Sequence, residues 1–471
     1  MMWQHVAAFL VAGQSGLRTC LAVAVVEGPM PLYLHVAAVN PEIVGADAEM
    51  SVPGLGQFTW LGCLELTPEG GDSRRIFGGI SGAFVHGSRL LMVSGMSKLP
   101  GPPWWGSGHF FAADLRLQTA QAVSGAPRLL PVGIENMTAQ ALRTRSGRVR
   151  TFEDNGDLES LDVAWPDKAL IGMDFNRLVR WFSFGRPADG PTKDLQLSVP
   201  QLVGVEHARE SGAGLSAALT HCKASGDNLG AQSVAVLATG EVAVFCEHGT
   251  RDGTTLGWLA HGDTGEILAS YMLPLPEVDG SQHDFYRIAG ATAVPSSAAR
   301  KGVSPELLLL FHFWSPDQQH VSKIARVRLL AGQPSKPLAL KLSGALTLRA
   351  GAGYPMDNFQ AIAIVPAASA SSYVVHLVSD NGFDPDNPRT LLLSLHLREE
   401  RATASDPTVP ISRTSLPRWV VKALGGTAIS VDELRTTTLS TTSRTMSTSR
   451  TTTTSTTALS STTSRTMSTS R

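Results

Sequence analysis

The sequence predicts an all-β fold, and within that class a β-propeller. Three observations carry the prediction. Short apolar runs recur throughout the first 400 residues, and many are followed by Gly, Asn, Asp or Pro. No sustained i, i+3, i+4, i+7 pattern competes with them. One loose template, two short apolar strands joined by a turn, occurs five times.

The composition allows such a fold. The chain has 471 residues, 43% of them apolar, so a large core can be buried. Glycine (45) and proline (28) are frequent, which suits many turns. Basic and acidic residues number 39 and 40, and this balance gives no electrostatic footprint for nucleic acid. No apolar stretch is long enough for a transmembrane helix.

From the N-terminus, residues 1–50 read as a leader or as extra strands. Val6–Ala12 has the character of a signal h-region, and Ala22-Val23-Ala24 that of a cleavage site, although Met1–His5 carries no Lys or Arg. The alternative is that Leu21–Val26 and Leu32–Val39 are strands. A leader would make the protein secreted, and only then would the sequon Asn136-Met137-Thr138 be usable.

The strands come next: Thr59–Leu66, Arg89–Val93, Phe110–Leu117, Ser233–Leu237, Glu241–Phe245, Glu306–Phe313, Tyr373–Val378 and Thr390–Leu397. The template starts at Ser81, Glu159, Gln232, Gly290 and Gln360, which are 58 to 78 residues apart. Its second strand runs out at Gly95, Asp174, Glu247, His312 and Asp380. A four-stranded blade needs about 40–50 residues, so the units carry long loops. Six blades are expected, with the sixth in a long segment such as 110–152. A β-sandwich with similar hairpins is the competing fold. Closure should bring Thr59–Leu66 beside Thr390–Leu397, because a closed ring leaves no sheet edge exposed.

Residues 399–435 read as a linker with short helices at Pro417–Leu424 and Val431–Arg435. Residues 436–471 hold only Thr, Ser, Arg, Met, Leu and Ala, and Ser440–Arg450 recurs identically as Ser461–Arg471. Such a tail cannot offset its ordering entropy by burial and is expected to be disordered. It reads either as an O-glycosylated stalk or as a repeat without function.

Four cysteines make no zinc spacing and no disulfide framework. Buried free thiols are expected in preference to a Cys222–Cys246 bridge.

Several motifs resemble the family described as esterase-like activity of phytase. Trp60-Leu61-Gly62 with Leu64-Glu65-Leu66, then Phe77-Gly78-Gly79-Ile80-Ser81-Gly82, is similar to its opening strand and its Gly-Gly-Leu-Ser-Gly motif. Asp157-Leu158-Glu159-Ser160-Leu161 is similar to its Asp-x-Glu-Gly-Leu/Ile motif. Asp357-Asn358-Phe359-Gln360-Ala361-Ile362, Leu377-Val378-Ser379-Asp380-Asn381 and Arg389-Thr390-Leu391-Leu392 resemble its closing blade. The resemblance spans residues 58–398. It implies a propeller, usually exported, that hydrolyses a small-molecule ester or phosphoester.

The template positions define two rings around a channel mouth. One is Ser81, Glu159, Gln232, Gly290 and Gln360; the other is Gly95, Asp174, Glu247, His312 and Asp380. Glu159 and His312 are the candidate catalytic pair. Asp174, Glu247 and Asp380 are candidate ligands for Ca²⁺ or Mg²⁺, which prefer clustered carboxylate oxygens. Gln232 and Gln360 would contact the substrate, and Arg177 and Arg389 would hold phosphate oxygens. Relative to the family pattern, Gly95, Gln232 and Gln360 replace acidic residues, which lowers the expected metal affinity and catalytic power. The competing functional reading is therefore a non-catalytic propeller that binds a ligand or protein partner. A structural reading is also open, in which Asp174, Glu247 and Asp380 end strands and accept turn backbone N–H groups. No G-x-S-x-G, P-loop or H-E-x-x-H motif offers another mechanism. Trp104-Trp105, between Pro102-Pro103 and Gly106, reads as a loop plug or as a ligand contact.

Overall fold

The computed structural model describes residues 30–39, 49–95, 108–120, 128–142, 157–164, 168–173, 178–183, 222, 231–247, 253–278, 284–295, 304–314, 319–349, 355–367, 371–384 and 386–399. The expected leader, linker helices and Ser/Thr tail lie outside them, as do Trp104-Trp105, Asp174 and Arg177.

The described residues open with β1 (Met30–Pro31), β2 (Leu34–Val39), β3 (Glu49–Val52) and β4 (Gly56–Pro68), then a short helix α1 (Gly71–Ile76). The first blade follows as β5 (Ile80–His86), β6 (Arg89–Ser94), β7 (His109–Ala120) and β8 (Arg128–Ala141). The second is β9 (Leu158–Ala164), β10 (Lys168–Met173) and β11 (Leu178–Ser183). The third is β12 (Ala231–Val236), β13 (Glu241–Cys246), β14 (Thr254–His261) and β15 (Ile267–Pro274). The fourth contains β16 (Arg287–Ala293), β17 (Glu306–Trp314) and β18 (His320–Arg328), then β19 (Leu338–Ala339), which departs to pair with β15, and β20 (Leu342–Arg349). The fifth is β21 (Phe359–Pro366), β22 (Ser372–Ser379) and β23 (Thr390–Arg398), completed by β4, with β2 and β3 on its outer side.

Within each blade the successive strands pair antiparallel. The innermost strands β5, β9, β12, β16 and β21 pack side by side in that order, and β21 returns to β5. The ring therefore closes with five blades, not six. Among the described residues of 110–152 there is no extra blade: β7 and β8 form a long hairpin, His109 opposite Ala141, that completes the first blade.

Closure follows the expected route. β4 pairs with β23 over Thr390↔Leu66 through Arg398↔Gln57. The N-terminal segment reinforces it from outside, with β1 on the edge of β8 in the first blade and β2 on the edge of β4 in the fifth. Leu32–Val39 thus supplies β2, as its strand reading expects.

The core lies in the five seams between blades, each filled by its own apolar cluster. This explains the unbroken apolar runs. In β17, Leu308 and Leu310 pack toward the fifth blade, and Leu307, Leu309 and Phe311 toward the third. A strand covered on both faces has no solvent side to mark with polar residues. The tight turns carry their own signals. Gly87 (φ 59°) lies between His86 and Arg89 in a two-residue hairpin loop, where left-handed backbone favours glycine.

Cys222 and Cys246 form a disulfide, contrary to the expectation of free thiols. The bridge depends on where the chain brings position 222, which spacing does not reveal. Cys63 is free and buried, its thiol pushed up to about 12 chiefly by burial.

Candidate functional site

Each innermost strand carries a β-bulge at its first residues. The pairing register shifts between Ile80 and Gly82, between Leu158 and Ser160, between Ala231 and Ser233, between Ile288 and Gly290, and between Phe359 and Ala361. A bulge leaves one residue unpaired and re-aims its side chain. The five bulged residues are Ser81, Glu159, Gln232, Ala289 and Gln360. Four of the five expected ring members are therefore equivalent.

The fourth needs correction: Ala289, not Gly290, occupies the ring position. Gly290 is one residue further along and faces the next blade. A Cβ placed there would lie 3.1 Å from Ile362 Cγ2 and 3.2 Å from the Gln360 carbonyl oxygen. The matching Gly82 is tighter still, 2.3 Å from the Leu161 nitrogen. Glycine at this level lets adjacent innermost strands approach. Where a side chain is present it bridges the seam, as Ser160 Oγ does by donating to the Ala231 carbonyl at 3.1 Å.

The second ring is in register. Ser94, Met173, Cys246, Phe311 and Ser379 each pair with the residue before a bulge. The residues that follow them are Gly95, Asp174, Glu247, His312 and Asp380, as the repeat predicts. The described members of both rings lie at the end where the innermost strands begin, the channel mouth.

The contacts within the mouth differ from a cation cage. Gln232 Nε2 donates to Glu159 Oε2 at 3.0 Å across the seam between the second and third blades. Arg287 Nη1 lies 3.6 Å from Glu247 Oε1 across the next seam. Gln360 Nε2 donates to Asn358 Oδ1 at 2.7 Å. Asp380 Oδ1 accepts the Gly382 N–H at 2.6 Å. Among the described residues, no three His, Cys, Asp or Glu side chains are grouped to hold a metal ion. The donor chemistry gives the reason for Glu159, Glu247 and Asp380: each is engaged by an amide, a guanidinium or a backbone N–H. Of the expected Ca²⁺ or Mg²⁺ ligands, Glu247 and Asp380 have these contacts, and Asp174 lies outside the described residues.

A different acidic group forms instead. Burial pushes the Asp380 carboxyl up to about 6, and the charges of Asp357 and Asp157 add to this against the Gly382 N–H. Asp357 is buried and accepts from Ser379 Oγ at 3.1 Å and from the Asn358 N–H at 2.8 Å. Asp157 comes from the second blade, and its Oδ1 lies 2.9 Å from where a Cβ on Gly95 would be. Gly95 therefore leaves room for a neighbouring carboxylate. Repeat alignment compares equivalent positions and misses Asp157 and Asp357 as site residues, because they precede the template. Their signal was an acidic residue just ahead of two bulges.

His312 stacks at 5.8 Å on His320, on which Asp357 acts electrostatically. Burial, reinforced by His320 and Arg287, drives the pKa of His312 down to about 3, so it is neutral. Arg389 lies at the same end, immediately before β23, with Nη1 3.8 Å from Glu65 Oε2. The mouth thus brings together Glu159 with Gln232, and Asp157, Asp357, Asp380 and His312, with Arg287 and Arg389 as cations. Such a site can take a proton from water and neutralise a developing anion.

No family model matches the chain, and no curated protein does. Several solved structures align with the chain at low similarity. An α-L-arabinofuranosidase, PaAbf62A, from Podospora anserina in complex with cellotriose has a TM-score of 0.38 at 10% identity, covering 74% of this chain and 98% of that one. A thermostable family-43 glycoside hydrolase has a TM-score of 0.35 at 10% identity, covering 72% and 97%. PhoX from Pseudomonas fluorescens, bound to vanadate, has a TM-score of 0.28 at 7% identity, covering 78% and 98%. At these scores none bears on function. Among the described residues no helix is long and apolar enough to cross a membrane.

Proposed function

We propose that the chain is a propeller hydrolase that cleaves a small ester or phosphoester at the channel mouth, with Asp380 as the acid–base group. The convergence of Asp157, Asp357, Asp380, His312 and Arg287 at one end of the channel supports this reading. A carboxyl that exchanges its proton near neutrality, inside a polar mouth, is what hydrolysis by water needs.

The residues divide the work. Asp380 Oδ2 takes a proton from water as its oxygen bonds to the carbonyl carbon or phosphorus. Arg287 and Arg389, with side chains 57% and 44% exposed, offset the charge that builds on the substrate oxygen. The bond to the leaving oxygen then breaks, and Asp380 returns its proton to that oxygen. Glu159 and Gln232 orient the substrate as a hydrogen-bonded pair. The family resemblance supports the same reaction class through its motifs alone. Export is part of the proposal, and the Cys222–Cys246 bridge supports it because disulfides persist in oxidising compartments.

The test is turnover of 4-nitrophenyl acetate and 4-nitrophenyl phosphate by purified protein, with and without chelator. Turnover that survives chelator is expected for the acetate. No turnover of either ester would refute the proposal. One observation favours the second reading, a binding propeller: Gln232 occupies Glu159, and Ala289 and Gly95 add no function to their rings. Ligand binding without turnover would establish that reading.

A further inference from the structure

The β17–β18 hairpin reaches beyond the innermost strand of its blade. Arg287, the first residue of β16, pairs with His312, yet β17 continues through Phe313 to Trp314, opposite His320. Alternate residues of a strand share a face, and directly opposed residues share it across strands. His312, Trp314, His320 and Ser322 therefore lie on one face of this finger. Phe313 and Val321 lie on the other and pack against the core of the third and fourth blades.

Three properties of the polar face point to a ligand. First, its rings form a ladder. Trp314 lies 5.4 Å from His320, and His320 lies 5.8 Å from His312, each pair inclined by 30°. Second, the ladder runs from open to enclosed. Trp314 is 58% exposed, one of the few large apolar side chains so exposed among the described residues, whereas His312 Nε2 is buried. Third, His312 Nε2, His320 Nδ1 and Ser322 Oγ are all buried, and none has a hydrogen-bond partner among the described residues. Buried polar atoms are costly when unpaired, so water or a ligand must meet them. Three such atoms on one face, below an open indole, are unusual for a surface made only for packing.

The chemistry selects the ligand class. A flat apolar C–H face suits the indole, and several hydroxyls suit the two imidazoles and the serine. Asp357 acts electrostatically on His320 from the fifth blade, so the face looks toward the acidic group of the mouth. A purely aromatic ligand would leave the three polar atoms unmet. We propose that this finger is a sugar-ring subsite: a saccharide stacks on Trp314 and hydrogen-bonds His312, His320 and Ser322. It deepens the hydrolase reading, on which it rests only for its role in turnover, by naming a sugar ester as the substrate class.

The experiment uses the full chain and methyl glycosides of glucose, xylose and arabinose, titrated with NMR detection of the histidine ring signals. Shifts confined to two histidines, both lost in His312→Gln or His320→Gln, are expected. Trp314→Ala should weaken binding about tenfold or more, the scale of one stacked ring. Its melting temperature should stay near the wild-type value because the indole is exposed. Trp314→Phe should restore part of the affinity. Saturation by none of the three glycosides would overturn the subsite, and so would binding unchanged by Trp314→Ala. The two proposals fail separately. Sugar binding without ester turnover removes only the catalytic reading, and turnover without sugar binding removes only the subsite.

Discussion

Asp162 offers a sharp physical test of how the blades are joined. It is buried on β9 and accepts the Val236 N–H of the next blade at 2.6 Å and the Val163 N–H at 2.8 Å. Burial outweighs these two bonds and raises its pKa from 3.8 to about 7. The folded state therefore holds a proton that the unfolded state releases above 3.8. The stability that proton confers is full below pH 3.8 and is lost as pH rises through 7. At about 1.4 kcal/mol per unit, a shift of roughly three units is worth about 4 kcal/mol. Asp162→Asn removes this dependence. Its amide oxygen can still accept from Val236, but its NH₂ then meets the Val163 N–H, which costs about 1–2 kcal/mol. The variant should be the less stable protein at pH 4 and the more stable one at pH 8. Urea unfolding of both proteins between pH 4 and pH 8 measures the difference. Asp380, His312 and His376 also titrate in this range, but they are common to both proteins and cancel. A difference that stays constant with pH would refute the reasoning, because the carboxyl would then be ionised throughout in the fold.

Other outcomes follow from the same packing. Gly82→Ala should destabilise by more than about 3 kcal/mol, since its Cβ would meet the Leu161 nitrogen at 2.3 Å, whereas Gly290→Ala should cost far less against the Ile362 side chain; paired thermal melts compare them. Cys246→Ser should cost about 3 kcal/mol by freeing the loop closed by the bridge, read by denaturant midpoint against the oxidised wild type, whereas the reduced wild type should match the variant. His376 is fully buried against Ser394 Oγ at 2.8 Å, and burial lowers its pKa to about 4. Its contribution is present above pH 6.5 and is lost as pH falls toward 4, so His376→Gln should flatten the acid limb of the stability curve.

Much of the fold was legible because it is written twice, once as strand composition and once as repetition. The apolar runs at Glu306–Phe311 and Tyr373–Val378 have no rival helical period, and each is a strand buried on both faces. Gly95, Glu247 and Asp380 were legible as equivalent positions because each directly follows a regular strand. The first ring slipped at one blade, where Arg287-Ile288-Ala289 carries the bulge without a polar residue to mark it. Blade number was not legible, because β7 and β8 have the composition of a hairpin that could complete a blade or begin one. Strands such as β1 and β19, two residues long, have no pattern to read. Spacing does not show what each carboxylate of the expected cation set meets. Carboxylates brought to one end of a channel can be taken by neighbours, as Gln232 takes Glu159 and Arg287 takes Glu247.

The measurement that bears most directly on the functional account is the pH dependence of 4-nitrophenyl acetate hydrolysis in wild type and Asp380→Asn. Wild-type turnover should rise with pH through an inflection near 6, where Asp380 loses its proton. Asp380→Asn should lose that inflection and at least about a hundredfold in rate, the usual scale for one acid–base group. An unchanged rate and inflection in Asp380→Asn would contradict the account, since turnover would then not depend on the carboxyl placed at its centre.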